Sequence, residues 1–292
     1  MVLAACDRAE TPPRYAVTLD VAPLIRQLDA ETTLDADEAA EQLAHLGEPV
    51  IATLEAALAT EPKPIRLGLL EALAQMESPR ALAVIARVAH EDGDPEVRGN
   101  AVLKLGESAQ ASVGPALEVA LNDPSPLVSH TAAVVCGALC TTPAAIDRMI
   151  DIALGALPDV ELLRMRGCVA RLLESHDAAA VRHAHDRLLE RTAIILASSE
   201  SIDRRARAAL FAMQAGASDA EPVLAAAILQ STSTGLQTAA LHELAKHGTA
   251  ASVPTLERLV RAQKVPGGAL LALQSIAARG VPEASAALAA VK

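Results

Sequence analysis

The histidines between residues 176 and 185 form the densest group of potential metal ligands in the sequence. They are His176, His183 and His185, with Asp186 directly after them. On a helix, His183 and His185 would face opposite ways, whereas zinc-binding pairs on helices are spaced i,i+4. His176 and His183 would be two turns apart, about 10 Å, which is too far to share one metal ion. We therefore expect these residues to lie on a solvated helix face, and we predict no metal site.

The four cysteines have neither a metal-ligand spacing nor an identifiable base beside them. Cys6, Cys136, Cys140 and Cys168 match neither a CxxC zinc pair nor a disulfide framework. The last three lie in apolar surroundings, where a free cysteine behaves as a small hydrophobic residue, so we predict buried thiols. The sequence also contains no GxSxG, P-loop or GxGxxG motif. We therefore predict no catalytic residue and no cofactor.

The composition favours helices that pack closely together. The 292 residues are 51% hydrophobic but only 1% aromatic, with one Tyr, one Phe and no Trp. Alanine, which is abundant here, is the strongest helix former and has a very small side chain. Sheets, in contrast, are enriched in β-branched and aromatic residues. The sequence therefore predicts an all-α fold.

The excess of acidic residues argues against a nucleic-acid-binding protein. Asp and Glu number 36 against 25 Lys and Arg, which gives a net charge of −11, and phosphate binding depends on basic side chains. The scarcity of aromatic residues also removes a platform for base stacking. The basic cluster of Arg204, Arg205 and Arg207 is predicted to be a solvated helix face. No apolar run is long enough to span a membrane as a helix.

From residue 34 onward the sequence repeats roughly every 30–35 residues, a period typical of solenoids. Each unit has two segments of helical apolar periodicity separated by a turn. We place units at 48–77, 78–110, 111–141, 142–176, 177–216, 217–248 and 249–280, with half-units at 34–47 and 281–292. Proline recurs near the start of the first segment, at positions 49, 79, 143, 222, 254 and 282. Glycine at 47, 106, 216, 248 and 280 predicts left-handed caps at segment ends.

One segment carries the motif that assigns the repeat. It reads Asp92-Gly93-Asp94-Pro95-Glu96-Val97-Arg98, followed by Ala101, Leu105 and Gly106. This segment resembles the turn and second helix of a HEAT repeat, closest to the short bacterial type also found in phycobilisome-lyase-like proteins. The resemblance covers about residues 34–292 and implies an α-solenoid of about seven stacked helical hairpins with capping half-repeats. In this turn we expect Asp94 to cap the helix and Arg98 to reach the turn carboxylate of a neighbouring unit.

Two enzyme families with this repeat provide an alternative to a purely structural role. Deoxyhypusine hydroxylase resembles the chain in length and repeat type, and it binds two irons through His-Glu dipeptides early in second helices. Here His90-Glu91 precedes a turn and His242-Glu243 falls late in its helix, so the two pairs are not equivalent. Bilin lyases of phycobilisomes also resemble the chain through the repeat. A tetrapyrrole site favours aromatic walls, however, which one Phe and one Tyr supply poorly.

Residues 1–33 are predicted to form a tether separate from the repeat domain at 34–292. Leu3-Ala4-Ala5-Cys6 resembles the lipobox that is cleaved and acylated in bacterial lipoproteins, and residues 7–14 resemble the tether that follows it. The resemblance implies a lipid anchor at Cys6 and a periplasm-facing protein at the cell envelope. A cytoplasmic location is the alternative. The alternation of apolar residues at 15–22 predicts a short extended segment.

The sequence as a whole favours a non-enzymatic interaction scaffold. A stacked helical array exposes a long continuous surface rather than a pocket. We expect its concave face, lined mostly by second helices, to bind a protein or peptide, and the negative charge favours a basic or neutral partner. The alternative is a bilin-lyase-like or metal-hydroxylase-like enzyme or enzyme subunit.

Overall fold

The computed structural model describes residues 20–29, 33–198 and 200–291, so Cys6 and the rest of residues 1–19 lie outside the described ranges. Within these ranges the regular elements are seventeen α-helices and short 3-10 segments, with no strand, as the composition predicts. None of the described helices is both long and apolar enough to cross a membrane. The chain forms two compact units, residues 1–76 and 77–292.

The first unit contains four helices in its described part. They are α1 (Ala22–Gln27), α2 (Thr33–Leu46), α3 (Ile51–Leu58) and α4 (Lys63–Gln75). Because α1 packs against α2 and α4, helix pairing begins before residue 34. The extended segment predicted for 15–22 is therefore wrong at its end: Val21, Ile25 and Leu28 are buried with the i,i+4,i+7 spacing of a helix. Residues 15–19 are not among those described.

The second unit is a series of helix pairs, one for each predicted repeat from residue 78 to 280. The first helices are α5 (Pro79–Glu91), α7 (Gly114–Ala120), α9 (Pro143–Ala153), α11 (Ala178–Ala197), α13 (Glu221–Gln230) and α15 (Val253–Arg261). The second helices are α6 (Pro95–Glu107), α8 (Pro126–Cys136), α10 (Asp159–Leu173), α12 (Ile202–Gln214), α14 (Thr234–His247) and α16 (Pro266–Ala278). Helix α17 (Pro282–Val291) follows in the last half-unit. The predicted α-solenoid of helical hairpins is confirmed.

Short polar side chains and prolines define where many of these helices begin. The side chains of Ser78, Thr142, Ser201 and Ser233 each accept a hydrogen bond from a backbone N–H in the first turn of the following helix. The predicted prolines lie in the first turn of their helices, where the missing N–H costs no intrahelical bond. Local sequence thus determines the helix starts.

The predicted glycine caps are only partly correct. Gly216 and Gly280 have the positive φ of a left-handed cap, whereas Gly47 combines a φ of +67° with a ψ of −151°, which is outside the left-handed helical region. Gly248 has a φ of −62°, and Gly106 lies inside α6, so the prediction is wrong for these two as well. A Cβ on Gly106 would lie 2.4 Å from the Cβ of Val135 on α8. Glycine at 106 therefore permits close packing of two second helices.

Helix α12 departs from the regular order of the second helices. The second helices α6, α8 and α10 pack in succession, as do α14 and α16, but α10 also packs directly against α14. Helix α12 lies behind this contact and packs against α10, α11, α13 and α14. Its buried side chains are Ala206, Ala208, Ala209, Leu210, Phe211, Ala212 and Met213. It is therefore a core helix, whereas α6 and α8 keep an exposed face.

Cys136 and Cys140 form a disulfide, which corrects the prediction of free thiols at these positions. Helix α8 ends at Cys136, and Gly137 has a φ of +41°, so the chain turns and brings the two Cα atoms within 5.1 Å. Cys168 is a buried free thiol, as predicted, and it donates to the carbonyl oxygen of Ala133 at 2.9 Å. Burial raises the pKa of the Cys168 thiol to about 11, so it is a poor nucleophile near neutral pH.

Candidate interaction surface

The turn before α6 ties two repeats together through Asp94 and Arg98. Asp94 caps α6, because its Oδ1 accepts from the backbone N–H of Glu96 at 2.8 Å. Arg98 donates through Nε and Nη2 to the two carboxylate oxygens of Asp123, at 2.8 and 3.0 Å, in the turn before α8. Its Nη1 donates to the carbonyl oxygen of Asp92. The hydrogen bond from Arg98 holds the pKa of Asp123 below its ordinary value. These contacts position neighbouring second helices.

The predicted histidine cluster does not converge on one point. His183 Nε2 lies 2.8 Å from Asp147 Oδ1 on α9, and Arg187 Nε donates to the same oxygen at 3.0 Å. Burial raises the pKa of Asp147, but the hydrogen bonds from His183 and Arg187 outweigh this effect, and the pKa is lowered. His176 is exposed before α11. The prediction of a solvated face is thus wrong for His183, because α11 packs against α9 on that side.

The two His-Glu pairs lie in different repeats, on α5 and on α14. His90 and Glu91 are exposed at the end of α5, whereas on α14 His242 is exposed and Glu243 is buried. In the part of the chain that the structure describes, no group of three or more His, Cys, Asp or Glu residues could hold a metal ion. Beside the second pair, His247 Nε2 lies 3.4 Å from Glu243 Oε1, but among the described residues this contact does not extend to a group of three ligands.

Four large apolar side chains are exposed on adjoining second helices of the second unit. Leu103 on α6 is 39% exposed, Leu127 on α8 is 49%, and Val160 and Leu163 on α10 are 62% and 38%. We call these four residues the apolar stripe. Helices α6 and α8 approach closely beneath it, since a Cβ on Gly99 would lie 3.6 Å from the Cγ of Leu127. Because exposed apolar patches can take part in binding, the apolar stripe is the candidate interaction surface.

The stripe residues of α8 and α10 lie on two helices that pack together and are joined by a polar contact. His130 Nδ1 on α8 lies 2.7 Å from Oε2 of Glu161, which stands between the two stripe residues of α10 in the sequence. In the second unit Val119 on α7, Ile194 on α11 and Leu271 on α16 are also exposed, but each is the one large exposed apolar residue among the described positions of its helix. Single exposed apolar residues are common on protein surfaces.

Helices α10 and α14 run parallel and meet at two points, which together we call the α10–α14 seam. Asp159 Oδ1 accepts from Ser233 Oγ at 2.5 Å, and its Oδ2 accepts from the backbone N–H of Gly235 at 2.8 Å. A Cβ on Gly235 would lie 2.4 Å from the Cβ of Asp159, so this approach requires glycine. Two turns further along, Arg166 Nη1 lies 3.5 Å from Glu243 Oε2. The seam covers α12.

The packing of α12 also explains why its basic cluster, Arg204, Arg205 and Arg207, is only partly exposed to solvent. Arg204 is exposed and donates to Glu200 at 2.9 Å, as predicted for a surface position. Arg205 and Arg207 are half-buried, so the prediction is wrong for these two. Burial lowers the pKa of Arg207. The cause is the enclosure of α12 by its neighbouring helices.

A comparison with protein-family models finds HEAT repeats at residues 21–102 and 85–164. No curated protein matches the chain. The matched residues include α1 and therefore begin before the predicted domain start at residue 34.

Solved structures with a similar course of the chain have low sequence identity to it. One is the complex of CpcE and CpcF of phycocyanin lyase from Nostoc sp. PCC7120, at 16% identity, covering 98% of this chain and 100% of that chain, with a TM-score of 0.34. Human deoxyhypusine hydroxylase in complex with glycerol is 21% identical, with coverages of 88% and 95% and a TM-score of 0.36. A designed armadillo repeat protein in complex with the peptide (KR)4 is 15% identical, with coverages of 79% and 100% and a TM-score of 0.28. The match identifies residues 21–164 as HEAT repeats, and similar helix pairs continue beyond them to residue 278.

Proposed function

We propose that the chain is a non-enzymatic scaffold that binds a protein or peptide partner through the apolar stripe. The observation that carries this proposal is the exposure of large apolar side chains on three successive second helices, α6, α8 and α10. Full burial of one such side chain contributes about 1.5–3 kcal/mol. A partner segment that covers several of them at once can therefore bind without a deep pocket.

The partner segment is expected to combine apolar and basic side chains. Glu96 and Glu107 are exposed on the face of α6 that carries Leu103, because they precede and follow it by seven and four residues. The chain as a whole carries a net charge of −11. Charge complementarity increases the rate of encounter and orients the partner on the surface. An amphipathic segment with leucine-like and lysine-like side chains fits this surface.

Leu127→Ser is expected to weaken the binding of a synthetic amphipathic helix of Leu and Lys about tenfold. The change removes an apolar side chain from the middle of the stripe and leaves the net charge unchanged. Val119→Ser is the matched control, because Val119 is also 49% exposed but lies on the first helix α7. Isothermal titration calorimetry of the wild-type protein and both variants at one ionic strength measures the difference.

The comparison separates stripe binding from general attraction between opposite charges. Val119→Ser should bind the Leu/Lys helix as the wild type does, since it alters neither the charge nor the stripe. If Leu127→Ser retains the wild-type affinity, the stripe is not the binding surface. A Leu/Glu helix of equal length should bind more weakly than the Leu/Lys helix, and equal affinities would contradict the charge assignment.

We further propose that the protein is lipid-anchored through Cys6 and faces the periplasm. The Cys136–Cys140 disulfide supports an oxidising compartment, because disulfides persist there and are rare in the cytosol. Metabolic labelling of the full-length gene product with a fatty acid should tag the protein, and Cys6→Ser should abolish the label. An unlabelled wild-type product would contradict the anchor.

A further inference from the structure

Helix α12 has a face that resembles the exposed face of α6 but is covered by the α10–α14 seam. Counted from the N-caps Asp94 and Ser201, Leu210 of α12 occupies the helical position of Leu103 in α6. Leu103 is 39% exposed, whereas Leu210 is fully buried. The other residues on this face of α12 are Asp203, Arg207 and Gln214. Because most of the face is polar, its sequence suits a helix that is open to solvent on that side.

The polar groups beneath the seam are poorly satisfied. Gln214 Nε2 donates to the carbonyl oxygen of Arg166 at 3.2 Å. Asp203 Oδ1, Arg207 Nε and Gln214 Oε1 are buried atoms with no hydrogen-bond partner among the described residues. On the seam itself, Arg166 Nε and both carboxylate oxygens of Glu243 are also buried and have no hydrogen-bond partner within the described ranges. The Glu243 oxygens keep longer contacts with Arg166 and His247, but none of the six atoms has a hydrogen bond within the described ranges, and burial without such a bond opposes closure.

Glu243 illustrates this cost most clearly. Its side chain is 1% exposed, and the nitrogen atoms beside it are Arg166 Nη1 at 3.5 Å, which is cationic, and the imidazole Nε2 of His247 at 3.4 Å. Burial raises the pKa of the Glu243 carboxyl, and the Arg166 cation offsets only part of that effect. Burial also disfavours the charged form of Arg207 beneath the seam, and it therefore lowers the pKa of that side chain. The closed seam thus disfavours the charged forms of both residues.

We propose that the α10–α14 seam opens reversibly in the folded protein and exposes the covered face of α12. Opening breaks the hydrogen bonds from Ser233 and Gly235 to Asp159, separates Arg166 from Glu243 and uncovers Leu210, but it rehydrates the six buried polar atoms. Because these contributions oppose each other, the open form lies closer in free energy to the closed form than the unfolded chain does. The open form adds Leu210 to the surface formed by the second helices.

Hydrogen exchange of the full-length, disulfide-bonded protein, followed by mass spectrometry, tests the opening without any partner. We expect the backbone amides of α12 to exchange about tenfold faster than those of α6, although α12 is the more buried helix. Asp159→Ala should accelerate exchange in α12 further and leave α6 unchanged. Glu118→Ala is the matched control, because Glu118 accepts from Thr142 at the start of α9 in a similar way but lies outside the seam.

A double substitution that should stabilise the closed seam tests the proposal in the opposite direction. Arg166→Met together with Glu243→Leu replaces two charges of the seam by apolar side chains of similar size, and α12 exchange should slow about tenfold. Unchanged exchange in this variant would overturn the proposal. Three further results would also overturn it: protection of α12 equal to or above that of α6, equal acceleration of both helices by Asp159→Ala, or equal acceleration of α12 by Glu118→Ala.

Discussion

Phe211→Ala is expected to lower the free energy of unfolding by about 3–5 kcal/mol. Phe211 is the one phenylalanine of the chain, and its side chain is fully buried in α12, which packs against four other helices. Its neighbours Leu210 and Ala212 on the same helix are also fully packed, so they cannot readily fill the space that the ring leaves. The substitution therefore removes apolar burial and also leaves a cavity.

Phe211→Leu is the matched control because it keeps an apolar side chain of intermediate volume. It should cost less than about 1.5 kcal/mol. Urea unfolding followed by circular dichroism measures both variants against the wild type, with the slope of the transition checked for a change in cooperativity. A loss below about 1.5 kcal/mol for Phe211→Ala would show that the surrounding helices collapse into the vacated space.

The helix pairs could be predicted from sequence because each pair is specified by residues that are close together in the chain. Ser78 and Pro79 start one helix, and the i,i+4 spacing of Val97, Ala101 and Leu105 gives the next helix one buried stripe. Such local signals repeat along the chain. They predict the helix pairs from residue 78 onward and many of the helix starts without any knowledge of which helices meet.

The α10–α14 seam could not be predicted in this way. Asp159 and Gly235 are 76 positions apart, and they meet only because α12 lies behind α10 instead of between α10 and α14. No spacing of residues within one helix pair indicates that α12 lies in this position. The same position of α12 leaves Arg205 and Arg207 half-buried, although the sequence predicted that they lie on a solvated face. Long-range packing decided the surroundings of these side chains.

The apolar stripe and the disulfide did leave signals in the sequence. Leu103 is a large apolar residue between the buried positions Ala101 and Leu105, on the side of α6 where a polar residue is ordinary. Gly137 directly after Cys136 signals a turn that ends the apolar helical run before Cys140. In both cases the sequence prediction followed the periodicity of the buried helix positions, and Leu103 and Gly137, which lie outside that periodicity, were not interpreted.

Arg98→Ala is expected to lower the free energy of unfolding by about 1–3 kcal/mol, because the buried carboxylate of Asp123 loses both hydrogen bonds from Arg98 and keeps the one from the backbone N–H of Ser125. The side chain of Asp123 is 9% exposed and receives two hydrogen bonds from Arg98, which also donates to the backbone of its own turn. The variant thus loses the link between the turns before α6 and α8. Thermal and urea unfolding at neutral pH measure the loss.

The pH dependence of this loss distinguishes the ion pair from simple packing. The pKa of Asp123 is lowered in the folded protein, chiefly by the hydrogen bond from Arg98, so its contribution is complete above the ordinary value of 3.8 and is lost as the pH falls through the lowered value. The difference in the free energy of unfolding between the wild type and Arg98→Ala should therefore become smaller in strong acid.

Arg261→Ala is the control, because Arg261 forms an exposed i,i+4 pair with Glu257 and its removal should change stability by less than about 0.5 kcal/mol. Equal effects of the two substitutions would show that the Asp123 contact adds nothing beyond a surface ion pair.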